Sequence, residues 1–131
     1  MTKSASSLTI LPTYSCFNDA IEYIEEIAKA DQQRALGLVL VHAIVVMPDG
    51  PEEGTLYSHA WVEDGELVWQ AGMWNGQRVY FSCLRVEYTR FMRVQDSTRY
   101  NLYELYIENR KSGHYGPWKP EYQALCRKAD S

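Results

Sequence analysis

Two residues whose types suit acyl transfer stand out in the sequence, a cysteine at position 16 and a histidine at position 59. Cys16 falls where the apolar pattern of the first helix begins. The unsatisfied N–H groups and the positive end of the dipole at a helix N-terminus favour thiolate, the reactive form of cysteine. A small buried residue without chemistry is the alternative interpretation of Cys16. Its position alone does not decide between the two.

His59 lies on a predicted strand that ends at Asp64-Gly65, a pair that is a strong hairpin signal. A two-residue hairpin there places Gln70 opposite His59. Paired residues share a face with Cβ atoms roughly 5 Å apart, so the amide is expected beside the imidazole. A cysteine hydrolase needs such a group, because the histidine takes the thiol proton while a third residue holds its ring in the useful tautomer. A half-exposed His-Gln pair without chemistry is the alternative.

The elements that must position these residues are a helix, a run of strands and a second helix. Apolar residues recur at helical spacing from about Cys16 to Ala30, which predicts an amphipathic helix. Strands are predicted over residues 36–47, 55–63, 66–71, 78–82 and 86–94, a loop over 72–76, a helix from about 98 that Gly113 caps, and a short helix near 121–128.

This order predicts an α+β fold, with the N-terminal helix packed on a mostly antiparallel β-sheet. The chain of 131 residues is long enough for one domain with one core. We expect a flexible N-terminal arm over residues 1–12, where Ser, Thr and Lys dominate the start and Pro12 closes the segment, and a single domain over 13–131.

Composition argues against several classes of function. The net charge of −4 lacks the clustered positive field that nucleic acid requires. No apolar run is long enough to span a bilayer, and the N-terminus has no apolar signal segment. Three cysteines without paired spacing indicate reduced thiols, so the sequence predicts a cytoplasmic protein that binds neither nucleic acid nor membrane.

The remaining polar residues have plainer interpretations. No C-x-x-C or H-x-x-x-H spacing is present, so we expect no metal and no cofactor. His42, inside an apolar strand, is interpreted as a satisfied core histidine, and His114 as a loop residue that is a lesser candidate for the site. Glu63 and Glu66 beside the tight turn are interpreted as solvated charges.

Two short motifs are similar to a known family. Cys16-Phe17-Asn18-Asp19-Ala20 at a helix start, followed by a strand with His59-Ala60-Trp61-Val62 and its hairpin partner, resembles the papain-like cysteine peptidase superfamily, closest to its compact bacterial and phage members. The resemblance covers about residues 14–71, and Tyr115-Gly116-Pro117-Trp118 extends it less specifically. It implies a papain-like fold with Cys16 as nucleophile and His59 as general base.

The chain departs from the family pattern at two places. The third residue in such proteins is commonly Asp or Asn, whereas Gln70 stands at the matching position here. A neutral amide orients the histidine but stabilises an imidazolium less than a carboxylate does. The family often places a Gln shortly before the cysteine, and residues 8–11 contain none, so the hydroxyls of Thr13 and Ser15 are candidate binding groups for an oxyanion.

Three hypotheses follow. The first is a small papain-like cysteine hydrolase that cleaves a peptide or isopeptide bond of a peptide or protein substrate, with Trp61 and Trp74 as candidate binding residues. The second is a papain-like fold that has lost turnover and serves as a binding or accessory module of a bacterium or phage. The third is an α+β domain without a catalytic site.

Overall fold

The computed structural model describes residues 11–12 and 16–126 of the chain. In this part of the chain the strands are β1 (Leu11–Pro12), β2 (Val39–Val46), β3 (Leu56–Asp64), β4 (Leu67–Trp74), β5 (Gln77–Leu84) and β6 (Asp96–Tyr100). The helices are α1 (Cys16–Ala30), α2 (Gln32–Ala35), α3 (Arg85–Met92), α4 (Leu102–Ser112) and α5 (Pro120–Gln123).

All strand pairs are antiparallel, and the long strands lie in the order β5-β4-β3-β2-β6. Strand β4 pairs with β5 along its whole length, but with β3 only as far as Val62 opposite Trp69. Beyond that point β1 pairs with β4, at Gly72 and Met73. The strands β3 and β4 therefore diverge, and we call this divergence beyond Val62 and Trp69 the fork.

The predicted α+β class, with the first helix on an antiparallel sheet, is confirmed, but the register of the β3–β4 hairpin differs from the prediction. Asp64 pairs with Leu67, so the loop is Gly65-Glu66 instead of Asp64-Gly65. Gly65 has φ 62, a left-handed conformation that glycine adopts without a steric penalty. The register shifts by two residues, which keeps every side chain on its predicted face because side chains alternate with period two.

The sheet carries a core on each face. Helix α1 covers the first face, where Phe17, Ile21 and Ile24 pack with Leu40 and Val62. Helix α3 covers the second face. The buried residues there are Val41, Ala43, Val45, Met47, Tyr57, Trp61, Val68, Tyr88 and Met92. Neighbouring residues of β3 thus belong to different cores, as strand geometry requires.

Two predicted elements are wrong. The segment 72–74 continues β4 instead of forming a loop, because Asn75 and Gly76 adopt φ of 53 and 76 and make the tight turn to β5 themselves. Residues 85–92 form helix α3 instead of a strand, and it buries Tyr88 and Met92, four positions apart on one helical face.

The helix predicted from about residue 98 begins at Leu102, because Asp96–Tyr100 form β6, a strand that the sequence did not predict, and pair with β2. The end of that helix and the whole of α1 agree with the sequence. Helix α1 spans the predicted residues, and Gly113 ends α4 with φ 82. Asn101 caps the start of α4 through a reciprocal pair of hydrogen bonds with Glu104. The predicted arm lies mostly outside the described residues, and its last two positions form β1.

Candidate active site

At the fork, the backbone N–H groups on one edge of β3 are not paired with β4. The Ser58 N–H donates to the Leu125 carbonyl at 2.9 Å, on the side away from β2. Alternate residues of a strand direct their N–H groups to the same edge, so the Ala60 N–H also points into the fork. Strand β4 has already diverged there, and another group must satisfy this donor.

The sulfur of Cys16 satisfies it. The backbone N–H groups of Ala60 and Phe17 both donate to the thiol. The N-terminus of α1 is thereby held at the fork, with Cys16 against the strand residue that directly follows His59. Cys16 packs against the first core, together with Ala60, whereas the side chain of the preceding residue His59 faces the other side of the sheet.

The ionisation of Cys16 is opposite to the prediction. Burial raises the pKa of the Cys16 thiol to about 12, and the donating N–H groups lower it by less. The predicted lowering of the pKa by the helix N-terminus is therefore wrong, because the loss of hydration outweighs the dipole. The sulfur carries its proton at neutral pH, and a base must remove it before or during an attack.

His59 lies on the second face and is only 5% exposed. Its ring is surrounded by Tyr57, Trp61 and Tyr88, with centroids 5.9, 5.6 and 6.4 Å away. The Nε2 atom lies 2.8 Å from the Tyr88 hydroxyl oxygen and 3.4 Å from Oε1 of Gln70. The Tyr88 hydroxyl donates to the same Oε1 at 2.6 Å.

Gln70 meets His59 for a reason that the sequence did not show. In the sheet Gln70 pairs with Phe81 of β5 and not with His59. The two side chains converge because both point to the second face, where Tyr88 of α3 bridges them. The sequence interpretation missed Tyr88 because it assigned residues 86–94 to a strand, although the four-residue spacing of Tyr88 and Met92 was a signal for a helix.

Cys16 also influences Tyr88 electrostatically. Burial raises the pKa of Tyr88 well above its usual value, and nearby ionisable groups, Cys16 among them, raise it further. Cys16 is thus close enough to act electrostatically on the hydroxyl that contacts His59. The structure brings His59, Gln70 and Tyr88 together on the second face, with Cys16 against the first core at the fork.

The predicted binding residues are placed differently from one another. Trp61 is 0% exposed and packs on His59 from within the core, so it lines no open surface in this structure. Trp74 is 44% exposed at the end of β4. Thr13 and Ser15 lie outside the described residues. Trp69 packs with the first core, on the face opposite to Trp61.

Two polar residues depart from their expected settings. His42 is buried as predicted, but its Nε2 has no hydrogen-bond partner among the described residues. Glu63 is buried instead of solvated. Its carboxylate accepts two hydrogen bonds from Arg99, at 3.1 and 3.0 Å, and lies 3.6 Å from Arg85. Burial of this charge is offset by the paired guanidinium groups.

The described residues contain no cluster of three or more His, Cys, Asp or Glu side chains arranged to hold a metal ion. Nor does any helix within residues 16–126 combine the length and apolar character that crossing a membrane requires. Comparison with known protein families, with curated proteins and with solved structures finds no match.

Proposed function

We propose that the protein is a small papain-like cysteine hydrolase that cleaves a peptide or isopeptide bond, with Cys16 as nucleophile and His59 as general base. One observation carries the proposal. The Cys16 sulfur accepts the N–H of Ala60, the residue that follows His59, and the His59 ring is itself held by a hydrogen bond. Cysteine hydrolases use a helix-start thiol together with an oriented imidazole as nucleophile and base.

The reaction follows from these groups. His59 takes the proton from the Cys16 sulfur as the sulfur bonds to the carbonyl carbon of the substrate. The resulting imidazolium gives that proton to the leaving amine as the C–N bond breaks, which leaves a thioester on Cys16. Water then attacks the thioester, His59 takes a proton from the water, and the carboxylic acid product leaves as the thiol is restored.

The raised pKa of Cys16 determines how the first step proceeds. With a thiol pKa of about 12, a thiolate–imidazolium pair is disfavoured in the resting enzyme. The proton therefore moves together with the attack of the sulfur. A hydrogen-bond donor to the substrate carbonyl oxygen stabilises the negative charge that develops there during the attack. The backbone N–H at the start of α1 is suited to that task.

A second candidate is a papain-like binding or accessory module without turnover. The observations that favour it are the high pKa of the Cys16 thiol and the near inaccessibility of His59, both of which disfavour rapid attack. The lack of a carboxylate beside His59 points in the same direction. The two candidates share the site and differ only in its chemistry.

The test is acyl transfer from an activated ester, 4-nitrophenyl acetate, followed by mass spectrometry of the intact protein and of its peptides. We expect one acetyl group on Cys16 in the wild type, in Cys83→Ser and in Cys126→Ser. The acetyl group is lost in Cys16→Ser and greatly reduced in His59→Ala. Equal acetylation of Cys16 with and without His59 would contradict the proposed pair.

A second arm separates the enzyme from the binding module. The rate of Cys16 alkylation by iodoacetamide is measured between neutral and alkaline pH in the wild type and in His59→Ala. For a hydrolase the neutral-pH rate depends on His59. If the rate follows only ionisation of the buried thiol, is the same in both proteins and no ester is turned over, the binding module is favoured.

A further inference from the structure

We propose that Tyr88 is a positioning residue that holds His59 in the Nε2–H tautomer. The Tyr88 hydroxyl accepts the Nε2–H of His59 and donates its own proton to Gln70. The role of Tyr88 in catalysis rests on the proposed function, whereas its effect on the His59 tautomer does not depend on it. This arrangement replaces the expected His59–Gln70 contact with a chain of three side chains, His59, Tyr88 and Gln70.

Counting protons assigns the tautomer. A tyrosine has one hydroxyl proton, and the Tyr88 hydroxyl gives it to Oε1 of Gln70 at 2.6 Å. The hydroxyl oxygen must then act as acceptor toward Nε2 of His59, 2.8 Å away, so Nε2 carries the proton. A neutral imidazole has only one N–H, which places the lone pair on Nδ1. Nδ1 is therefore the ring atom that can accept a proton in the proposed reaction.

The distances show why Tyr88 and not Gln70 is the direct partner. Nε2 is 3.4 Å from the Gln70 oxygen, beyond the usual range of an N–H···O bond, whereas its distance to Tyr88 lies within that range. Tyr88 and His59 are both buried, at 6% and 5% exposed. Hydrogen bonds in such surroundings are stronger than in water and polarise one another along a chain.

A neutral phenol suits this task over a wide range of pH. Burial keeps the pKa of Tyr88 well above its usual value, so the hydroxyl retains the proton that it donates to Gln70. When His59 becomes an imidazolium, its Nε2–H still donates to the same oxygen. The chain therefore orients both forms of His59, and it supplies no negative charge to stabilise the cation.

The hydrogen bonds of Tyr88 also help to hold helix α3 on the second face. Tyr88 and Met92 are its buried side chains, while Val86 and Phe91 are more than half exposed. Seating Tyr88 between Trp61 and Gln70 brings the hydroxyl to His59. The docking of α3 thus completes the group around His59.

The test is ¹⁵N nuclear magnetic resonance of the histidine rings, whose nitrogen shifts distinguish the two tautomers directly. The ring signals are assigned with His42→Leu and His114→Gln, and the spectra are recorded at alkaline pH, where the imidazole is neutral. We expect the Nε2–H form in the wild type. Tyr88→Phe removes the acceptor and yields a mixture of tautomers, while Tyr100→Phe, a buried tyrosine of the first face, leaves His59 unchanged.

Two Gln70 variants are expected to differ in tautomer, a difference that a merely structural role of Gln70 does not produce. In Gln70→Leu the Tyr88 hydroxyl loses its acceptor and turns to donate to Nε2, so His59 shifts to the Nδ1–H form. Gln70→Glu keeps an acceptor and retains the Nε2–H form. If Tyr88→Phe fails to fold, this Gln70 pair decides the question by itself.

An Nδ1–H form of His59 in the wild type, or no difference between Gln70→Leu and Gln70→Glu, would overturn the inference. All spectra are repeated in the Cys16→Ala background, where no acyl transfer is possible. A correct tautomer pattern without acetylation of Cys16 in the ester assay means that the hydrolase proposal fails while the positioning chain stands. Acetylation of Cys16 with the wrong tautomer means the reverse.

Discussion

Two buried histidines on adjacent strands meet opposite environments. His42 of β2 pairs with Ala60, and His59 of β3 pairs with Ala43, so their positions differ by one residue in the ladder. Strand alternation sends them to opposite faces of the sheet. Both are nearly inaccessible, at 1% and 5% exposed, so exposure does not distinguish them.

Their partners distinguish them. The ring of His42 contacts Phe17, Tyr100 and Trp118, with centroids 4.7, 5.1 and 4.9 Å away, and burial lowers its pKa to about 3. It behaves as one more aromatic ring of the first core. His59 is held by a hydroxyl and lies next to the residue that contacts the thiol. Burial makes a histidine inert unless polar groups give its proton a defined position.

The largest expected effect is on acyl transfer. His59→Ala removes the general base and should lower the rate of Cys16 acetylation by about 10²–10⁴-fold. His42→Leu, a change to the other buried histidine, should leave the rate within a few-fold among molecules that remain folded. The rates are compared by mass spectrometry with 4-nitrophenyl acetate. A larger loss in His42→Leu than in His59→Ala would reverse the comparison.

Acid stability should depend on His42. Its pKa is lowered from 6.5 to about 3 in the folded protein, so between these values the unfolded chain binds a proton that the folded chain does not. The free energy of unfolding contributed by this group therefore falls as the pH falls, by about 1.4 kcal/mol per pH unit.

Urea unfolding at several pH values between 6.5 and 4 measures that slope. His42→Leu should make the pH dependence shallower by this amount. Identical slopes in the wild type and in His42→Leu would show that His42 is protonated in the folded state.

A smaller effect, on the free energy of unfolding, is expected at Gly116, which lies against the ring of His42. Gly116 has φ 108, and a Cβ there would lie 2.7 Å from Cε1 of His42. Gly116→Ala should destabilise the protein by about 1–3 kcal/mol through this overlap and the unfavourable backbone conformation. Gly50→Ala is the control, since it has a similar φ of 87 with no atom near the added Cβ. Equal losses would attribute the whole effect to the backbone.

The smallest expected effect is the coupling between Phe17 and His42. Their rings meet edge to face, an arrangement that contributes roughly 0.5–1.5 kcal/mol beyond the buried area. A double-mutant cycle with Phe17→Leu and His42→Leu should measure a coupling energy of that size. The matching cycle with Phe17→Leu and His59→Ala should give a value near zero. Similar values in both cycles would contradict the separation of the two faces.

Local patterns in the sequence determined a large part of the fold. The apolar spacing predicted α1, and Gly113 predicted the end of α4, because each signal involves residues a few positions apart. Asp64-Gly65 predicted a hairpin between β3 and β4 and therefore the face that His59 and Gln70 share. The selection of Cys16, His59 and Gln70 came from residue types and these local elements alone.

The tertiary structure decided what joins those residues. The register of β3 and β4 differs by two positions from the one that an Asp64-Gly65 turn predicts, and it follows from the packing of two cores. Tyr88 reaches the fork because α3 docks on the second face, a contact between distant segments. The pKa of Cys16 rises because desolvation depends on every atom around the sulfur, and the sequence does not specify which atoms those are until the chain has folded.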